Sequence, residues 1–156
     1  MVSVIGLMGQ NVESEINEST SRYDRSNAEY MLIEAQKFFL IEDYERALAF
    51  LDKSLELDNK NDAAHFKKAE IYLIQNQLER GLESIKDAIN LDFSNKYYYI
   101  LGAELEKANR NLEGAREFYR LMAENTEDYK VYLVELANTY QGLGEGKEAI
   151  EILEQF

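Results

Sequence analysis

The sequence predicts an all-α protein built as a solenoid of antiparallel helix pairs, and three observations predict it. Small residues recur 34 places apart: Ala47, Gly81, Ala115 and Ala149 in one row, Ala35, Ala69, Ala103 and Ala137 in another. Between them apolar residues recur at three and four, the period of an amphipathic helix. Asp43, Asp62, Asn76 and Asn95 fall between these stretches, where their side chains can accept from free helix-end amides. A period of 34 with helical patterning inside each unit is the mark of stacked helix pairs. Small residues are needed where the two helices of a pair cross, because a bulky side chain would hold the backbones apart.

Taken in order, Met1 to Gln10 is apolar but far shorter than the roughly 20 residues that span a bilayer. It reads either as the tail of a secretory signal or as a short helix laid on the repeats. Asn11 to Ser26 is polar and acid-rich, a linker composition. Residues 1–26 are thus expected as a flexible or signal-like segment, with ordered structure beginning near Asn27 as a helix cap. Four helix pairs follow, near 28–41/43–57, 62–75/77–91, 96–109/111–124 and 128–142/145–156, in repeats of about 28–61, 62–95, 96–129 and 130–156. The loops within pairs are short, so paired helices run antiparallel.

Repeat 3 breaks the pattern. On the strict lattice Glu106 takes the place of Phe38, Tyr72 and Tyr140, where a charge is costly unless it meets water or a partner. The alternative is a slip by one residue that gives the core places to Gly102 and Leu105 and lengthens the loop. The slip is the reading preferred, and the relative burial of Leu105 and Glu106 tests it.

These repeats resemble the tetratricopeptide repeat (TPR) family. Residues 28–59, AEYMLIEAQKFFLIEDYERALAFLDKSLELDN, carry its aromatics at Phe38 and Tyr44, its small residue at Ala47, then Leu51. Repeat 2 keeps Ala69, Tyr72, Leu78, Gly81, Ile85 and Ala88, repeat 3 keeps Ala103, Leu112, Ala115 and Tyr119, and repeat 4 keeps Ala137, Tyr140, Gly144, Ala149 and Leu153. The chain departs from the family in having no proline, and in charged Glu34 and Lys68 at a usually apolar place. The resemblance implies a right-handed superhelix, with the first helix of each pair lining a concave face.

Composition limits the function. With 30 acids against 17 bases, net charge −13, the chain repels phosphate backbones, so neither nucleic acid nor anionic membrane is an expected partner. Without cysteine there is no disulfide or thiolate chemistry. His65, the only histidine, shares a core-side place with Met31, Tyr99 and Leu133, and a lone imidazole has no second nitrogen ligand beside it. Gly142, Gly144 and Gly146 make a turn, but the lysine and preceding strand of a phosphate loop are missing. No enzyme activity, metal or cofactor is expected. The compartment stays open: cytoplasmic, or exported if residues 1–10 are a signal remnant.

The family's lining places, carried onto this sequence, are Leu32, Gln36 and Phe39 in repeat 1 and Phe66, Glu70 and Leu73 in repeat 2. They are Tyr97, Ile100, Glu104 and Lys107 in repeat 3, and Val134, Asn138 and Gln141 in repeat 4. Leu32, Phe66, Ile100 and Val134 would form an apolar row beside an acid-and-amide row of Gln36, Glu70, Glu104 and Asn138. Family members that hold acidic chaperone tails use bases and an asparagine there, so such a tail would meet like charge in this chain. The expected function is a non-catalytic scaffold that takes a protein or peptide segment in the groove. The alternative is a self-associating structural subunit with the groove unused or self-filled. Ile150, Ile152, Leu153 and Phe156 are an apolar set with no capping helix after them, which predicts a longer array, a homodimer contact, or cover by residues 1–10.

Overall fold

The computed structural model describes residues 4–126 and 133–154. Among them are eight α-helices and no strand: α1 (Val4–Leu40), α2 (Tyr44–Leu57), α3 (Asp62–Ile74), α4 (Leu78–Leu91), α5 (Lys96–Ala108), α6 (Leu112–Asn125), α7 (Leu133–Gly142) and α8 (Gly146–Leu153). Each odd-numbered helix packs chiefly on the helix that follows it. The fold class is all-α, a succession of helix pairs as expected. The chain falls into two compact units, Met1–Lys60 and Asn61–Phe156.

In the first unit α1 is far longer than the expected first helix. Residues 4–26 continue it, and Asn27 lies inside it instead of capping it. Polarity had suggested a linker, but Asn11 to Ser26 contains neither proline nor glycine, and its charges suit a helix surface, with Glu18 and Arg22 paired one turn apart at 3.6 Å. The pair is closed by Ala28, Ala35, Ala47 and Leu51, all wholly buried. Ser54 is buried beside them and its Oγ donates to the Ala28 carbonyl at 2.8 Å. That bond satisfies a hydroxyl which would otherwise be costly to bury.

In the second unit the lattice residues again sit in the core: Ala69, Ala103 and Ala115 have no exposed surface, Ala137 and Ala149 almost none, and Gly81 is buried. Around them pack Ile85, Ala88, Tyr98, Tyr99, Leu105, Phe118, Tyr119 and Met122. Asn61, Asn95 and Asn111 cap α3, α5 and α6 through their side chains. Asp62, expected as a cap, is the first residue of α3, and Asn76 is in the turn after it.

One turn is used four times. Glu42, Asn76, Arg110 and Gly144, each 34 after the last, have φ of 60°, 56°, 59° and 83°. In each case the amide three places past the helix reaches five residues back: Asp43 to Phe38, Gln77 to Tyr72, Asn111 to Glu106 and Glu145 to Tyr140, at 2.8–3.0 Å. This is the Schellman closure, which satisfies carbonyls left bare at a helix C-terminus.

The same bond settles the register of repeat 3. The carbonyl of Glu106 accepts from Asn111 as those of Phe38, Tyr72 and Tyr140 do from their counterparts, so the expected slip does not occur and the loop keeps its length. Leu105 is wholly buried and Glu106 is 8% exposed. Both lie inside because Leu105 stands at the place of buried Ile71, and because Glu106 finds a donor in Asn111 Nδ2 at 2.9 Å.

Candidate protein-interaction face

The residues singled out for partner binding lie on the first helices of the pairs, where a spacing of three and four keeps them on one face. In the first unit Leu32, Gln36 and Phe39 are half-buried on α1. The Phe39 ring meets Tyr44 edge-on, centroids 5.9 Å apart.

In the second unit the face is built on α3, α5 and α7. Phe66 and Tyr98 bring α3 to α5, ring centroids 5.1 Å apart, and the Tyr98 hydroxyl donates to Asp62 Oδ2 at 2.5 Å. Burial and that carboxylate push the Tyr98 phenol well above the usual tyrosine range. Leu73 and Ile100 are half-buried against the core. Tyr97 and Val134 stand out into solvent, 59% and 45% exposed. Glu104, Asn138 and Gln141 are exposed, and Glu70 is half-buried.

The acid row does not stand as bare charge. Glu70 pairs with Lys67 on its own helix. Lys107 gathers Glu104 and Glu135 at 3.3 Å each, and its Nζ donates to the Tyr119 hydroxyl at 2.8 Å. Burial alone would lower the pKa of Lys107, but the Tyr119 and Glu104 contacts outweigh it and hold the ammonium above its ordinary value. The lysine therefore ties α5 to α6 and α7. The Glu104–Lys107 pair follows from an (i, i+3) spacing readable in sequence. The reach to Glu135, 28 residues on, carries no such signal.

His65 lies between the helices of one pair, half-buried on α3, with Nδ1 3.7 Å from Asp87 Oδ2 of α4. Among the described residues no group of three or more His, Cys, Asp or Glu side chains is placed to hold a metal, and no helix is long and apolar enough to cross a membrane. Ile150 is 58% exposed. The side chains of Ile152, Leu153 and Phe156, which would complete its apolar set, lie outside the described residues.

Residues 42–105 match the family model described as tetratricopeptide repeat. No curated protein matches the chain. Among solved structures it is similar to YrrB, described as a TPR protein with an unusual peptide-binding site: TM-score 0.67, 19% identity, 78% of this chain and 63% of that one covered. The chain thus spans less than two thirds of YrrB. It is similar to MamA of Desulfovibrio magneticus RS-1, with TM-score 0.68, 16% identity, and 99% and 94% of the two chains covered. It is also similar to the first TPR of Spaghetti (RPAP3), solved with the HSP90 peptide SRMEEVD, at TM-score 0.66, 20% identity, and 77% and 98% coverage. These likenesses are of fold, and they agree with the family match and with the helix pairs described above. Residues 42–105 thus carry the tetratricopeptide repeat, and the helix pairs on either side share its fold.

Proposed function

We infer that this chain is a non-catalytic interaction scaffold that takes a peptide or partner segment on the face of its first helices. The observation that carries this reading is the row of Tyr97, Ile100 and Val134 beside Phe66 and Leu73. It places large apolar groups at or near the surface of a packed helical layer, and such apolar anchors ringed by polar groups are the usual form of a peptide groove. The partner would be apolar at its centre. An acidic tail such as SRMEEVD, bound by the RPAP3 repeat, is disfavoured by Glu70 and Glu104, although Lys67 and Lys107 soften the field.

Selection of a displayed random-peptide library on the purified chain tests the reading. Enriched peptides should lose binding to Tyr97→Glu and Val134→Glu, two exposed positions where a charge leaves the core intact. Phe66→Glu is a poorer choice, because Phe66 is packed on Tyr98. Enriched peptides indifferent to both exposed substitutions would sink the proposal.

Self-association is favoured by one separate observation. On α1, Tyr23, Tyr30, Ile33 and Leu40 are 55–71% exposed, and their spacing of seven, three and seven sets them on one stripe. Sedimentation of Ile33→Glu against the unmodified chain distinguishes a contact through this stripe.

A further inference from the structure

The 34-residue lattice holds a second correlation, on the side of the second helices. In repeat 1 the guanidinium of Arg46 lies over the Phe38 ring, 4.6 Å from its centroid. In repeat 2 Arg80 lies over Tyr72 at 4.3 Å. The Tyr140 ring of repeat 4 is covered by Arg116 at 5.2 Å. Three of the four places thus hold an aromatic ring with an arginine across it. In repeat 3 both members change together: the ring becomes Glu106 and the lattice partner of Arg46 and Arg80 becomes Gly114.

The exchange leaves a cavity of about 300 Å³ lined by α4, α5 and α6, at the small end of the ~300–1,000 Å³ typical of ligand sites. Ile89, Phe118 and Leu121 form its apolar wall, and Lys86 and Glu117 also line it. Glu106, more than nine-tenths buried, supplies its carboxylate. Oε2 accepts from Asn111 Nδ2, whereas Oε1 takes no hydrogen bond among the described residues. Oε1 lies 2.7 Å from where a Gly114 Cβ would stand, so the absent side chain is what leaves room beside it. Glu117 is occupied by Arg120. A buried carboxylate without a cation is costly, and a planar guanidinium with an aliphatic stem matches both the acid and the apolar wall.

We propose that this cavity is a socket for an arginine side chain of a partner polypeptide, filling from outside the place that Arg46 and Arg80 fill from within. Lys86, the base on its lining, is not within ion-pair distance of Glu106 among the described residues, and the socket favours the flat guanidinium over it. The site lies apart from the first-helix face, and the two stand or fall separately.

The test is an amide-shift titration of the full chain with N-acetyl-arginine amide, N-acetyl-norleucine amide and free L-arginine. Saturable shifts of the Gly114 and Asn111 amides by the capped arginine, with norleucine inert and at least ten-fold weaker binding in Glu106→Gln, support the socket. Gly114→Arg supplies the guanidinium in cis and should abolish the titration. If that variant does not fold, Glu106→Gln decides alone. Non-saturating shifts, equal response to norleucine, binding retained in Glu106→Gln, or tighter binding of free L-arginine than of the capped form would each overturn the proposal.

Discussion

Leu105 closes on Gly81: a Cβ added to Gly81 would stand 2.5 Å from Leu105 Cδ2. That contact, between α4 and α5, explains why the row of Ala47, Ala115 and Ala149 has a glycine in repeat 2. Leu105 is wholly buried, so moving its side chain aside disturbs a packed core. Gly81→Ala should gain ~1 kcal/mol of helix propensity and lose ~1–3 kcal/mol to overpacking, for a net destabilisation of about 1 kcal/mol. In a Leu105→Val background the loss should vanish. Urea unfolding of the four-member cycle measures the coupling, and strictly additive effects would show that the contact is not limiting.

The left-handed turns make a prediction of opposite sign. Glu42 and Arg110 carry side chains at φ near 60°, a conformation that costs an L-residue roughly 1–2 kcal/mol. Arg110→Gly and Glu42→Gly should therefore stabilise by ~0.5–1 kcal/mol after the added freedom of the unfolded chain is subtracted. Gly144→Ala should destabilise by a similar amount. Nothing lies within 4 Å of a Cβ there, so its effect isolates the backbone. Thermal unfolding checks all three, and a stabilised Gly144→Ala would refute the assignment.

Much of this was legible in the sequence, and the failures have physical reasons. Helices α2 to α6 fall within two residues of expectation because the small-residue rows fix where helices cross. The use of Glu42 and Arg110 in left-handed turns was not legible, since neither residue type prefers that conformation. Repeat 3 looked like a slip because Glu106 is a poor core residue in isolation. Only the structure shows Asn111 donating to it. The length of α1 was not legible because a polar composition suits an exposed helix surface as well as a linker. At the candidate face, the exposure of Tyr97 and Val134 could be placed by periodicity, whereas the convergence of Glu104, Glu135 and Tyr119 on Lys107 depends on how α5, α6 and α7 pack.

Alkaline pH should unfold the chain. Burial raises the phenols of Tyr98, Tyr99 and Tyr119 above their ordinary value, so they release protons near pH ~10 only when unfolded. Lys107 is also raised, and its contribution is complete below the ordinary lysine value and lost as pH climbs through the folded one. In both cases the folded state binds more protons, and stability falls as pH rises. The urea midpoint should drop between about pH 9 and about pH 11, less steeply in Tyr98→Phe. A flat midpoint over that interval would contradict it.

Charge at the first-helix face can be reversed without touching the core. Glu70→Gln with Glu104→Gln leaves Lys67 and Lys107 without these partners. Peptides flanked by bases should weaken and those flanked by acids strengthen, with the salt dependence of the former flattened. Calorimetric titration of matched acid-flanked and base-flanked peptides measures this. Identical changes for the two would remove charge from the account of selectivity.

The turn that recurs at Glu42, Asn76, Arg110 and Gly144 is closed by main-chain amides at fixed offsets, with four different side-chain settings at its left-handed position. Its closure is therefore indifferent to which repeat stands on either side. A stretch of one period, cut at one such turn and rejoined at the next, would recreate the same pair of amide bonds at the junction. Gene-level duplication or deletion can then change the array by whole units without inventing a new connection. What diverges between copies is free to do so in the side chains alone, as the exchange of an aromatic–arginine pair for Glu106 and Gly114 already records.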